Sequence, residues 1–173
     1  MKKILSLLLL VFGCVKIPEG LAPIENFKLE RYLGKWYEIA RLDHSFERGL
    51  INVSAEYSLG KNGEVVVVNK GYNQEKNKWQ EARGQAYFVD HKKERGFLKV
   101  SFFGPFYGSY LIIDIDKENY QYALVCGPNK NYLWILSRKP YLEENIKTKI
   151  VEKAKSLGFR TDKLIWVEQE NLN

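Results

Sequence analysis

Between residues 33 and 138 the chain repeats one pattern: short runs in which apolar and polar side chains alternate, separated by turn residues. Alternation with period two marks a strand with one buried face. Val53-Ser54-Ala55-Glu56-Tyr57-Ser58-Leu59 is apolar at every odd position. Leu98, Val100 and Phe102 share a face opposite Lys99 and Ser101. In Trp79 to Val89 the polar Glu81, Arg83 and Gln85 share a face, which predicts Ala82, Gly84, Ala86 and Phe88 on the inner one. Glu64 to Tyr72 is rich in valine, and four consecutive valines leave its faces unassigned. The pattern predicts further strands over Trp36 to Arg41, Tyr110 to Ile115, Tyr120 to Cys126 and Tyr132 to Arg138. That makes eight, joined by hairpin-type turns such as Lys61-Asn62-Gly63 and Gly127-Pro128-Asn129-Lys130-Asn131.

Past Pro140 the period changes. Leu142, Ile146, Ile150, Ala154 and Leu157 recur every three to four residues among lysines and glutamates, the pattern of a helix with a single apolar stripe. Gly158 stands where a helix of this kind ends. Leu164-Ile165-Trp166-Val167 then predicts a short ninth strand. A helix with one stripe packs on the outside of a closed sheet. The fold class is therefore all-β, an eight-stranded up-and-down antiparallel barrel with one C-terminal helix outside it and a short added strand.

Composition changes this picture little. One domain is expected from 173 residues, enough chain to bury about two-thirds of its unfolded surface. The net charge of +6 falls to +4 once a leader carrying Lys2 and Lys3 is set aside, leaving 25 basic and 21 acidic residues. The charges are interspersed, as in Lys92-Lys93-Glu94-Arg95, so nucleic acid is not a partner the sequence points to.

The first fourteen residues change it more. Met1-Lys2-Lys3 is a basic n-region, and Ile4 to Phe12 is an apolar stretch shorter than the roughly 20 residues a bilayer span needs. Val11-Phe12-Gly13-Cys14 reads as a bacterial lipobox, placing signal peptide at 1–13 and lipidation at Cys14; the alternative is a plain signal peptide with an incidental cysteine. Residues 14–26, with Pro18, Gly20 and Pro23, read as a tether, and 27–173 as the folded domain. With Cys14 lipidated, Cys126 has no disulfide partner and reads as an inert buried thiol.

Leu33-Gly34-Lys35-Trp36 at the first strand and Arg138 after the eighth form a combination that resembles the signature of the lipocalins. The run from about Phe27 to Val167 is similar to the bacterial outer-membrane branch of that family and its apolipoprotein D-like members. The resemblance implies that Gly34, Trp36 and Arg138 meet at the closed end of the barrel. It also implies that the segment Leu42 to Leu50 folds over the open end, and that the lipidated chain resides in the outer membrane. A calyx lined by apolar and small residues takes a long apolar ligand. The implied ligand is a fatty acid or lysophospholipid, the implied role envelope maintenance.

Alternation and resemblance together nominate Ala55, Tyr57, Val67, Phe88, Val100, Phe102, Tyr110, Val125 and Trp134 as calyx lining. Glu38, two residues after Trp36, joins them. It is either a polar handle for a ligand head group or a structural partner of Arg138 or of a tyrosine hydroxyl. No catalytic constellation, cofactor motif or metal-ligand spacing is visible, since His44 and His91 lack companions. An envelope structural or interaction protein with a filled barrel is the rival reading, and an enzyme built on Cys126 a weaker one. The residues fix no oligomeric state; a dimer stays open.

Overall fold

A computed structural model describes residues 15–90 and 93–169. Eight antiparallel strands follow one another in sheet order: β1 (Gly34–Arg41), β2 (Leu50–Leu59), β3 (Val65–Asn73), β4 (Lys78–Phe88), β5 (Phe97–Phe103), β6 (Phe106–Ile115), β7 (Tyr122–Cys126) and β8 (Leu133–Ser137). β1 pairs with both β8 and β2, so the sheet closes on itself. A short helix α1 (Leu29–Tyr32), which the sequence pattern does not reveal, precedes β1. Helix α2 (Glu144–Ser156) follows β8, and β9 (Ile165–Trp166) returns to β1.

The side chains divide into two layers. Inside the barrel lie Trp36, Tyr57, Val65, Val67, Ala86, Leu98 and Val125 with their neighbours. Between the barrel wall and α2 lie Ile39, Leu111, Leu124, Leu133, Ile135, Ile150 and Ala154. The helix thus sits outside, its stripe seated on β6–β8. It ends at Gly158, whose φ of +85° suits glycine, and the Phe159 amide returns to the Ala154 carbonyl at 3.2 Å. The valines of β3 also sort out, with Val65 and Val67 turned inward.

β1 departs from simple alternation. Its pairing with β8 slips between Glu38 and Ala40, a β-bulge that inserts one residue. Ala40, which unbroken alternation would put beside Trp36 and Glu38, therefore packs in the helix layer, and Arg41 turns to the side of Glu38. β1 pairs with β2 only over Gly34–Tyr37. In the gap beyond, the C-terminal segment is stitched to both strands. Val167 N–H bonds the Ile39 carbonyl, Asn52 N–H bonds the Glu168 carbonyl, and Gln169 Nε2 donates to the carbonyls of Glu38 and Val53.

One further expectation is corrected. Ala82 is exposed rather than inward, because β4 pairs with β5 only from Gln85 to Phe88 and the β3–β4 hairpin overhangs the wall. Residues 15–26 run along the barrel wall. Pro18 and Pro23 are buried, and Ile24 is held by the Ile112 carbonyl at 2.9 Å and by the Gly96 amide at 2.9 Å.

Candidate functional site

At the closed end, Gly34 enters β1 with φ +91°, a conformation that favours glycine; a Cβ there would also stand 3.5 Å from Arg138 Nη1. Trp36, two residues on, is fully buried, and its indole N–H bonds the Tyr32 carbonyl at 2.7 Å. Arg138 covers the other side of the ring. Its guanidinium carbon is 3.9 Å from the indole centroid, and its nitrogens donate to the carbonyls of Lys35, Arg31 and Tyr120. The three signature residues therefore do meet. Phe27 fills the remaining space, edge-on to Tyr32 at 5.3 Å and within 6.1 and 6.4 Å of Phe88 and Tyr120. Phe27 and Tyr32 escaped the alternation argument because they lie outside the strands, and Tyr120 because β7 begins at Tyr122, two residues after the expected start.

Above this plug three phenols meet. Tyr110 Oη lies 2.6 Å from Tyr32 Oη and 2.7 Å from Tyr57 Oη. Burial, the largest cause in each, pushes all three hydroxyls above the ordinary tyrosine range, so they stay neutral hydrogen-bonding groups. Tyr32 and Tyr57 also hydrogen-bond to one another, so the three hydroxyls form one closed group.

The walls rise from there. Of the nominated residues, Tyr57, Val67 and Val125 are fully buried in the interior cluster, and Ala55, Phe88, Val100, Phe102, Tyr110 and Trp134 pack against it while keeping accessible surface. Phe102 stands over Gly84, where any Cβ would come within 2.8 Å of its ring. These inward groups keep partial accessibility in a closed barrel and are the apolar surface that a ligand entering from the mouth would meet.

Glu38 belongs to the upper half. Its partner is neither Arg138 nor a tyrosine but Arg41, whose Nη1 lies 2.8 Å from Glu38 Oε1 with both side chains buried. The bulge is the reason: it brings residues three apart onto one side. Arg41 Nη2 also holds the carbonyls of Glu47 and Leu50 in the segment between β1 and β2. From that segment Glu47 places Oε2 at 2.7 Å from His44 Nε2 and at 3.0 Å from Trp134 Nε1. Burial, followed by the Glu47 charge, raises the Glu38 carboxyl well above its usual range. Burial acts on Glu47 too, but His44, Trp134 and Arg41 together bring it below its usual value. Phe46 closes the group, its ring 3.9 Å from that of His44. This lid cluster went unseen in the sequence, where only the spacings Glu38/Arg41 and His44/Glu47 hint at it.

Cys126 points away from the calyx. It is buried in the helix layer, its Sγ 3.4 and 3.5 Å from the carbonyls of Gly127 and Asn129, and burial pushes its thiol up to about 12. A calyx cysteine nucleophile is thereby removed. Among the described residues no group of three or more His, Cys, Asp or Glu could hold a metal ion. Cys14 and His91 lie outside the described residues.

Comparison with known proteins agrees with this geometry. A lipocalin-like domain matches residues 27–169. The chain is 55% identical over 161 residues to outer membrane lipoprotein Blc of Vibrio cholerae, covering 93% of this chain and 94% of that one. It is 52% identical to the protein of the same name from Escherichia coli (88% and 85% covered), and 33% identical to mouse apolipoprotein D (85% and 79%). Insecticyanin from the tobacco hornworm superposes with a TM-score of 0.71 over 92% of this chain and 88% of its own, at 19% identity, a likeness of fold alone. The chain belongs to the lipocalin family.

Proposed function

We propose that this protein is a lipid-binding lipocalin, anchored to the outer membrane through a diacylated Cys14, that holds or carries fatty acids or lysophospholipids for envelope maintenance. It is a binding protein and not an enzyme. The observation that carries the ligand reading is the set of inward side chains, Ala55, Phe88, Val100, Phe102, Tyr110 and Trp134, that keep accessible surface above a packed floor. An acyl chain entering that space gains about 0.8 kcal/mol for each methylene buried. The neutral hydroxyl of Tyr110, partly accessible, is the polar group that a carboxylate or hydroxyl reaching the bottom would meet. The names of the bacterial relatives support the anchor, and the lipobox supports it independently. Two or more acyl chains hold a protein on a membrane stably, where one does so only marginally.

Native mass spectrometry of the purified protein, followed by extraction of bound lipid, tests the ligand reading. A mass increment matching an acyl lipid is expected; a protein that neither retains nor takes up fatty acid or lysophospholipid would point to the filled barrel of a structural lipoprotein. Labelled palmitate should enter the wild-type protein and not Cys14→Ser.

A further inference from the structure

The start of the described chain runs up the outside of the barrel toward its open end. Phe27 is fixed to the Glu94 carbonyl near the floor, and Ile24 to the Ile112 carbonyl on β6. Lys16 is fixed to Ser109, three residues nearer the open end of the same strand. The Ser109 hydroxyl accepts from the Lys16 amide at 2.8 Å and donates to the Lys16 carbonyl at 2.6 Å. Phe106, the first residue of β6, is about 10 Å further along. Cys14 precedes Lys16 by two residues, a reach of at most about 7 Å. An anchor on Cys14 would be tethered within that reach of Lys16, on the half of the barrel nearer the open end.

Several large apolar side chains are exposed at that end. Phe103, at the end of β5, is 81% exposed, Phe46 in the β1–β2 connection 63%, and Trp79 at the start of β4 54%. Phe106, 38% exposed, flanks Phe103 at the β5–β6 tip. Apolar and amphipathic rings of this kind are suited to the boundary between head groups and acyl chains.

We infer that the anchored protein stands mouth-down, with Phe46, Trp79, Phe103 and Phe106 seated in the surface of the bilayer that holds its lipid anchor, so that the calyx opens onto lipid. This rests on the lipidation of Cys14. A short leash and an apolar rim on one side act together: the anchor supplies the local concentration, and the rings fix the orientation. A lipid can then pass between bilayer and calyx without its acyl chain crossing water.

The test uses the full chain produced with its leader, purified with its anchor and reconstituted on vesicles of phosphatidylethanolamine and phosphatidylglycerol. A fluorophore is placed at Phe103→Cys on the rim or at Leu59→Cys, 57% exposed in the turn at the closed end; the native Cys126 is buried. In protein that floats with the vesicles, nitroxide-bearing lipids should quench the rim label several-fold more than the closed-end label, with iodide in the water phase showing the reverse. Equal quenching of the two labels, or stronger lipid quenching at Leu59, would overturn the orientation while leaving the anchor intact. A rim label shielded from iodide but not quenched by nitroxide lipid would also overturn it, and would assign the rim to a second copy of the chain. Protein that does not float would remove the anchoring reading and this inference with it.

Discussion

Arg138 lies over the indole of Trp36, its guanidinium carbon 3.9 Å from the ring centroid, and three backbone carbonyls from three different segments hold it there. The contact joins the first strand of the barrel to the chain just past the eighth, so it fastens closure as well as filling the floor.

Trp36→Ala should cost about 3–5 kcal/mol, as truncation of a buried aromatic does. Arg138→Ala should also destabilise, and the two losses should fall short of additive by about 0.5–2 kcal/mol, the range of a desolvated cation–π contact. Denaturant melts of the four proteins in a double-mutant cycle check this. Strict additivity would mean the two groups do not act on one another.

The three linked phenols give an alkaline signature. Their hydroxyls are raised above the ordinary value of 10.0, so the folded state holds protons that the unfolded chain releases. Stability should therefore decline as pH rises past that value, and phenolate absorbance should stop short of all eleven tyrosines until the barrel unfolds. Tyr110→Phe removes one hydroxyl of the three and leaves Tyr32 and Tyr57 without their shared partner, at about 1–3 kcal/mol.

The lid cluster predicts opposite behaviour for its two carboxylates. Glu47 is lowered from an ordinary value of 4.5, so its contribution is present above that pH and is lost as pH falls through its folded-state value. Glu38 is raised, so its contribution turns against folding as pH climbs above the same ordinary value. Thermal melts from acid to neutral pH should show a flattened acid limb in Glu47→Gln and a flattened neutral limb in Glu38→Gln. Limbs parallel to wild type in both variants would contradict the assignment. Arg41→Met, which leaves the buried Glu38 carboxyl group without its cation and the Glu47 and Leu50 carbonyls without their donor, should cost about 3–5 kcal/mol.

Alternation sufficed for the barrel where strands are regular and paired on both sides. Leu98, Val100 and Val125 lie inside as the pattern requires, and α2 seats its stripe outside. It failed where geometry breaks the period. The bulge in β1 moved Ala40 out and Arg41 in, and no residue type in Trp36–Arg41 announces a bulge. The overhang of the β3–β4 hairpin exposed Ala82, because facing inward requires a neighbouring strand, which sequence alone does not place. The floor plug from Phe27, Tyr32 and Tyr120 was hidden for a similar reason: its residues come from turns and a four-residue helix with no period to read. Gly34, Trp36 and Arg138 were legible only as a combination across a hundred residues, and the structure shows why that combination is needed: each touches another.

Whether the barrel holds lipid is decided most directly at Ala55. It faces Trp36 across the β1–β2 register, points inward, and keeps accessible surface beside Tyr57. Ala55→Trp places a large ring in the space assigned to the acyl chain. The measurement is displacement of a fluorescent fatty acid by unlabelled lipid, taken with a thermal melt of the same samples. The wild type should bind the probe, and Ala55→Trp should lose it with its melting temperature nearly unchanged, since an open site admits the extra volume. A wild type that does not bind, or a variant whose stability falls by the roughly 1–3 kcal/mol of an overpacked core, would contradict the lipid-binding account.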